Sequence, residues 1–488
     1  GRLFEEYNDV LSGLGIQYKD KKGNIKEGII KKSTADFIYH KEWKDYYIIY
    51  KVEVANKNDQ SVIEEEFKVS VDRSGFEYGD IENKSGERIS NPREDVLVMY
   101  PKYKVVTAQN AAKASERLSK KRSFFGLFQK NKINFLEGTA SLEDQNTVSI
   151  LYPDGKTELL KADAIILATG SEPLTPNFLK FDGDRVITTT EALKLDTVPK
   201  SIAIVGGSVS GCEFASLFSQ LGAEVHLIEM LEGIVPTEDK EIASKLTSEL
   251  KMSGINILTN SPVESIERIY PSGDVKLAIK GQASRQVEYC LLTLGRKLNT
   301  KNIGLESLGI KHSPTGIEVN AQMQTNVENI YATGDVTGKM LLAHVASEQG
   351  IVAVEHIMGK KVSMDYQTVP AFIYTHPEIS SVGRQEDELK KESINYLTGK
   401  NYFKSNAMAM GMGEGDGFVK VFVDTKSHQI LGIHMIGPHA TDLVAEAVMI
   451  IKNKMTVEQI KDVIHPHPTL SEVIKEAVLA TIDQAIHG

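Results

Sequence analysis

Near its C-terminal end the chain reads His465-Pro466-His467-Pro468-Thr469-Leu470-Ser471-Glu472, which places an imidazole five residues before a carboxylate in a proline-flanked turn. A histidine titrates near neutral pH, and a carboxylate on its second ring nitrogen fixes the tautomer and raises the basicity of the other. His467 with Glu472 is therefore a candidate acid/base pair, suited to moving a proton on and off a thiol. Two other readings stand beside it. Two histidines one residue apart also suit a zinc or nickel ion, and the stretch could be a plain loop. No Cys/His cluster elsewhere in the sequence offers further ligands, so no metal is expected.

The next chemistry-bearing stretch is a nucleotide signal. Ser201-Ile202-Ala203-Ile204-Val205 reads as a buried strand, followed by Gly206-Gly207-Ser208-Val209-Ser210-Gly211 and a helical run through Leu221. A second strand, 224–228, ends at Glu229. Strand, glycine turn, helix, strand and terminal acid form the βαβ dinucleotide fingerprint. Gly206 permits the tight turn with Gly207, Gly211 lets helix and strand pack closely, and the helix N-terminus offers free N–H groups to a pyrophosphate. Ser208 stands at the middle glycine position, where its side chain crowds that group. Glu229 is placed to accept a ribose 2′-OH and to repel a 2′-phosphate, which favours NAD over NADP.

A second nucleotide signal is split along the chain. Ala164-Ile165-Ile166-Leu167-Ala168 runs into Thr169-Gly170, and Asn329-Ile330-Tyr331-Ala332-Thr333 runs into Gly334-Asp335. Leu342-Ala343-His344 then opens a helix whose N-terminal dipole favours negative charge.

Together these motifs resemble dihydrolipoyl dehydrogenase, a class I flavoprotein pyridine nucleotide-disulfide oxidoreductase, over roughly residues 105–488. Tyr374-Thr375-His376-Pro377-Glu378 looks like the start of the family's C-terminal domain and Gly295-Arg296 like the end of its NAD domain. The resemblance implies an α/β fold, with tandem Rossmann-like FAD and NAD domains and a C-terminal α+β dimerisation domain. It implies FAD and NAD as cofactors, with Gly138, Thr169, Gly170, Gly295, Gly334, Asp335, Ala343 and His344 on the flavin or at its border. It makes His467 the catalytic base, Glu472 its orienting partner, and Glu213 the partner of a lysine beside the flavin. In the family the base deprotonates dihydrolipoamide, the thiolate attacks a redox disulfide, electrons pass to FAD, and hydride leaves for NAD. The implied partners are a second copy of the chain and the lipoyl-bearing proteins of 2-oxo acid dehydrogenase or glycine cleavage complexes. The helices after Leu443 and the strand around Ile433 are expected at the interface between the two copies.

The chain departs from the family at its beginning. Residues 1–100 hold no Gly-x-Gly-x-x-Gly, no cysteine and no candidate lysine for Glu213. Leu3, Phe4, Tyr7, Leu11 and Leu14 suggest an amphipathic helix stopped by Gly13 and Gly15. The segments 46–54 and 62–71 suggest an antiparallel hairpin, with Trp43 at its edge. Either residues 17–100 are an insertion and the first nucleotide lobe lies upstream of Gly1, or this segment replaces that lobe.

Composition sets the remaining limits. A length of 488 residues calls for several domains. The expected division is 1–100, a divergent N-terminal segment; 101–185, a partial FAD domain; 186–313, the NAD domain; 314–368, a central flavin-contacting domain; and 369–488, the interface domain. A helix is expected within 105–135, ending at Phe124–Phe128, and the alternation of Met408, Met410 and Met412 suggests a β-edge or loop. A net charge of −10 argues against nucleic acid, because phosphate neutralisation needs a basic face and Lys120-Lys121-Arg122 is the one compact basic run. No apolar run approaches the ~20 residues of a membrane span, so a soluble protein is expected. Cys212 and Cys290 are the only cysteines, which fits a reducing compartment, the cytoplasm or the mitochondrial matrix. Both read as small buried residues, and the lipoamide reaction therefore has no redox thiols here. Two rival functions follow: a non-catalytic paralogue that keeps NAD binding and the dimer interface, or a flavin-dependent NADH oxidase or diaphorase, which needs no thiol pair.

Overall fold

The computed structural model describes the backbone of nine strands between residues 15 and 107 and, with side chains, residues 128 and 130–487. It divides into two compact units, Gly1–Glu137 and Gly138–Gly488. In the first, seven strands form an antiparallel sheet in the order Arg88–Ile89, Tyr78–Glu82, Val62–Val71, Asp45–Asn56, Ile25–His40, Gly15–Lys19, Tyr103–Lys104. The expected hairpin is its centre, with Tyr50 opposite Phe67. The long strand Ile25–His40 was hidden from sequence reading because its alternation breaks at a bulge between Ile30 and Lys32. The helix expected over Leu3–Leu14 and Trp43 lie outside the described residues, as does most of the helix expected within 105–135. Val106–Thr107 is instead a strand, paired with Val96–Leu97. Among the described residues of this unit every pairing is antiparallel, unlike the parallel sheet of a dinucleotide lobe.

The second unit opens on an antiparallel meander, Thr139–Asp144, Thr147–Leu151 and Thr157–Lys161. From there the labelled strands are β1 (Ile165–Leu167), β2 (Val186–Thr188), β3 (Ser201–Val205), β4 (Glu224–Ile228), β5 (Asn256–Leu258), β6 (Tyr289–Leu292) and β7 (Ile330–Ala332). The parallel sheet β2-β6-β3-β4-β5 is the dinucleotide lobe, and β1 pairs in parallel with β7. Ile202, Ala203 and Ile204 are fully buried, as expected of a parallel strand covered on both faces. A second meander, Val263–Arg268, Val275–Ile279 and Arg285–Val287, leads into β6.

Four helices position the site: α1 (Val209–Gln220), α2 (Ala343–Ile357), α3 (Ala440–Lys452) and α4 (Glu472–Leu479). The last two flank the C-terminal antiparallel sheet, ordered Ala371–Ile373, Glu378–Gly383, Ile430–Gly437, Phe418–Asp424, Tyr396–Tyr402. One face of that sheet shares a core with the dinucleotide lobe through Ile373, Ile379, Phe418 and Ile436. Ile433 is fully buried on the other face, against Val444 and Ala447 of α3. The strand around Ile433 therefore packs inside the protein and does not supply an exposed interface side chain. The methionine run is also corrected: Ala407–Met412 is a short helix, because the Asn406 side chain accepts from Ala409 N–H at its start and Gly413 (φ +75°) ends it.

Candidate active site

The dinucleotide turn is built as its glycines require. A Cβ on Gly211 would collide with the Gly206 carbonyl, and one on Gly206, at φ +113°, would strike the Thr293 carbonyl. The first turn of α1 is left open, since Ser208 at its N-cap makes no side-chain capping bond. Glu229, at the end of β4, is only 6% exposed. Its Oε2 accepts the Gly207 N–H at 2.6 Å and its Oε1 the Leu231 N–H at 2.7 Å. A carboxylate has about four acceptor sites, so two remain for ribose hydroxyls. The residues present thus fit a dinucleotide: uncapped N–H donors at a glycine turn and a fixed acceptor opposite.

The second cluster gathers the ends of β1 and β7. Gly170 (φ +68°) and Gly334 (φ +75°) each turn the chain where a side chain would be strained. Thr169 and Asn299 clasp one another, Thr169 Oγ1 donating to the Asn299 carbonyl at 2.7 Å and Asn299 Nδ2 to the Thr169 carbonyl at 3.0 Å. Ser171 Oγ donates to Asp335 Oδ2 at 2.5 Å, while Arg296 Nε donates to Ser171 Oγ at 2.5 Å and lies 3.4 Å from the same Asp335 oxygen. Among the described residues only Oδ2 of Asp335 is engaged, which leaves Oδ1 for a hydroxyl. The fully buried Gln349 of α2 accepts the Gly334 N–H at 2.6 Å and donates to Tyr366 Oη at 2.9 Å, which locks the turn. Leu342 gives α2 no side-chain cap, so the N–H groups from Ala343 onward face outward for an electron-rich group. These residues fit the ribityl and ring half of a flavin. Arg296 closes this cluster rather than ending the NAD domain alone. Ser171, Asn299 and Gln349 were not singled out from sequence. Gln349 carried a visible signal, a polar residue on the apolar stripe of Val345 and Val352.

Three expected residues have other engagements. His344 directs its imidazole to the Pro370 carbonyl, 3.0 Å from Nε2, and stacks on Phe372 at 5.4 Å, so its backbone rather than its ring is free. Glu213 meets no cation among the described residues. Its Oε1 accepts the Tyr374 N–H at 3.0 Å, and burial pushes its carboxyl up, a shift only partly opposed by that bond. Gly138 begins the first meander, where a Cβ would come within 2.8 Å of the Leu151 carbonyl, so close strand pairing accounts for the glycine.

His467 and Glu472 do meet. Nδ1 of His467 lies 2.8 Å from Glu472 Oε1, and the histidine side chain is 68% exposed. Glu472 stands in the first turn of α4 and accepts the Thr469 N–H on its other oxygen at 2.9 Å. Burial opposes ionisation, but the Thr469 N–H and His467 outweigh it and hold the Glu472 carboxyl below its usual range. His465 turns the opposite way, with Nε2 2.7 Å from Glu446 of α3 and its side chain 7% exposed. The two histidines engage different carboxylates instead of converging on one point. Cys212 and Cys290 are both fully buried free thiols. Burial, with the nearby carboxylates Glu229 and Glu213 for Cys212 and Asp182 for Cys290, pushes both thiols up, far from thiolate chemistry.

Residues 81–350 match the pyridine nucleotide-disulphide oxidoreductase family, and residues 369–478 match its dimerisation domain. The chain belongs to this family. A dihydrolipoyl dehydrogenase from Chlamydia pneumoniae is 41% identical over 363 residues, covering 74% of this chain and 77% of that protein. One from Bacillus subtilis is 37% identical, covering 74% of this chain and 79% of its own. Among solved structures, LpdA from Mycobacterium tuberculosis superposes with a TM-score of 0.71 at 27% identity, over 76% of this chain and 82% of that one. The flavoprotein disulfide reductase RclA from Escherichia coli, at 24% identity and TM-score 0.69 over 76% of this chain and 84% of its own, shows the same fold. As a family member the chain is an oxidoreductase of the flavoprotein class whose cofactors are FAD and NAD. Among the described residues no helix is long and apolar enough to cross a membrane.

Proposed function

We propose that this family member is a dihydrolipoyl dehydrogenase in every part of its described site except the thiols, and that residues 1–488 alone do not oxidise dihydrolipoamide. The His467–Glu472 pair carries this reading, since a carboxylate on Nδ1 leaves Nε2 as the exposed base a dithiol needs. Bound flavin supplies the two-electron relay between a dithiol and a nicotinamide. Around it the chain's own residues hold and orient. Asp335 would accept from the ribityl chain, the uncapped N-terminus of α2 would favour negative charge on the ring, and Glu229 with the Gly206–Gly211 turn would hold NAD. The missing element is a nucleophile, because Cys212 and Cys290 are buried and protonated.

The exposure of His467 further supports a homodimer in which the base serves a site completed by the partner. A lipoyl arm on a 2-oxo acid dehydrogenase or glycine cleavage protein is the substrate class that the pair suits. The reading is tested by titrating the purified protein with NADH and NADPH by fluorescence. NADH is expected to bind the more tightly, and a preference for NADPH, or binding of neither, contradicts it.

A further inference from the structure

The second glycine of the dinucleotide turn is fixed by a segment outside the βαβ fingerprint. The Gly207 N–H goes to Glu229 Oε2 at 2.6 Å, and the Gly207 carbonyl accepts the Val235 N–H at 2.8 Å. A Cβ placed on Gly207 would come within 2.8 Å of Ile234 Cγ2 and 3.1 Å of Glu229 Cβ. Ile234 and Glu229 therefore fill the space beside this glycine. The Gly207 peptide is held from three sides, by a carboxylate, an amide and a methyl group.

Ile234 and Val235 are 2% and 0% exposed and lie in one core cluster. Neighbouring side chains of an extended segment point to opposite sides, so two consecutive buried residues call for a turn. Val235 supplies it at φ +41°, a left-handed conformation that is a genuine outlier for a β-branched residue. Such a conformation persists only where its surroundings hold it. Here the Val235 carbonyl accepts the Glu238 N–H at 3.0 Å, Glu238 Oε2 accepts from Ser381 Oγ at 3.0 Å, and the Thr237 carbonyl accepts from Gln385 Nε2. Ser381 lies on the strand Glu378–Gly383 and Gln385 just beyond it, so the C-terminal sheet steadies the segment that carries Ile234.

We infer that Ile234 is a positioning residue for dinucleotide selection. Its Cγ2 methyl holds the Gly207 peptide against Glu229 and so fixes the direction of the lone pairs left for an adenosine ribose. A carboxylate that can swing loses its alignment with the ribose hydroxyls and can also turn away from a 2′-phosphate. The effect of Ile234 therefore falls on the choice between NADH and NADPH more than on dinucleotide binding as such. The inference rests on the NAD reading proposed above.

Ile234→Leu and Ile234→Val separate this role from packing. Leucine keeps the volume but removes the branch that carries Cγ2, whereas valine keeps that methyl and loses only the terminal one, and the two changes cost a core comparably. The preference for NADH is read as the ratio of the NADPH and NADH dissociation constants in fluorescence titrations of the full chain, with the urea midpoint measured alongside. Ile234→Leu is expected to shrink that ratio about fivefold, a part of the loss expected from removing the charge outright, while the conservative Ile234→Val stays within about twofold of the wild-type protein. In a Glu229→Gln background Ile234→Leu should change the ratio no further, since the group it positions is gone. A preference that survives Ile234→Leu, an equal loss in both variants, or an undiminished effect in the Glu229→Gln background overturns the inference and leaves the NAD reading standing. A wild-type protein that binds NADPH more tightly, or neither dinucleotide, overturns both.

Discussion

Glu229 does two jobs with one carboxylate. It ties Gly207 and Leu231 to the end of β4, and in the proposed reading its remaining lone pairs receive a ribose. Glu229→Gln keeps one acceptor oxygen but loses the charge, and hydrogen bonds to charged groups are worth about 1.5–3 kcal/mol. NADH binding is therefore expected to weaken between about tenfold and a hundredfold in a fluorescence titration, with the NADH-over-NADPH preference shrinking in parallel. The other informative pair is His465 with Glu446. The hydrogen bond to Glu446 raises the His465 imidazole above its ordinary value, against the burial that opposes it. A raised histidine contributes stability that is fully present below its unfolded pKa, about 6.5, and is lost as pH rises through the higher folded value. Glu446→Gln is thus expected to lower the urea midpoint clearly at pH 6 and little at pH 9. An equal loss at both values would mean that the pair contributes through packing, without charge.

At the scale of elements, the dinucleotide lobe is fastened to the C-terminal sheet by a buried charge cluster. Lys420, on the strand Phe418–Asp424, is 1% exposed and contacts Asp239 at 3.0 Å, Glu241 at 2.8 Å and Glu386 at 3.1 Å. Asp239 also caps the helix Lys240–Met252 by accepting the Glu241 and Ile242 N–H groups. Removing the cation leaves a buried carboxylate without its counter-charge, which costs roughly 3–5 kcal/mol. Lys420→Met should lower the denaturant-measured stability by about that amount, and a change below 1 kcal/mol would show the cluster to be solvated.

Much at this scale was legible in sequence. Strands β3 and β4, the helix α1 between them and the terminal acid were visible because glycine turn and apolar run reinforce each other locally. The His467–Glu472 contact was visible because five residues of turn confine both ends. Less local relations were not. The clasp of Ser171, Arg296 and Asp335 joins residues 125 and 164 positions apart, and no local pattern announces it. Ile433 looked like an interface residue because a central strand under a helix has the same composition as an interface strand. The methionine helix reads in sequence as a β-edge or loop because six residues are too few to separate the two periods.

At the scale of the whole molecule, the exposed apolar residues beside the dyad mark the expected face between two copies. Met449, on α3, is 61% exposed, and Val463 and Ile464, just beyond the helix Val457–Asp462, are 39% and 93% exposed. A central apolar anchor in an interface contributes about 2 kcal/mol or more. Ile464→Asp should therefore raise the dimer dissociation constant at least about thirtyfold in analytical ultracentrifugation. A wild-type monomer at micromolar concentration would remove the basis for a shared site.

The central claim is that a complete proton-transfer pair and a nicotinamide seat stand here without a thiol to connect them. It is tested most directly by assaying dihydrolipoamide-dependent reduction of NAD with the purified chain, FAD supplied, alongside the Cys212→Ser/Cys290→Ser double variant. The account predicts NADH binding by both proteins and dihydrolipoamide oxidation by neither. Turnover that persists in the double variant would show that the reaction proceeds without a cysteine nucleophile and would contradict the account.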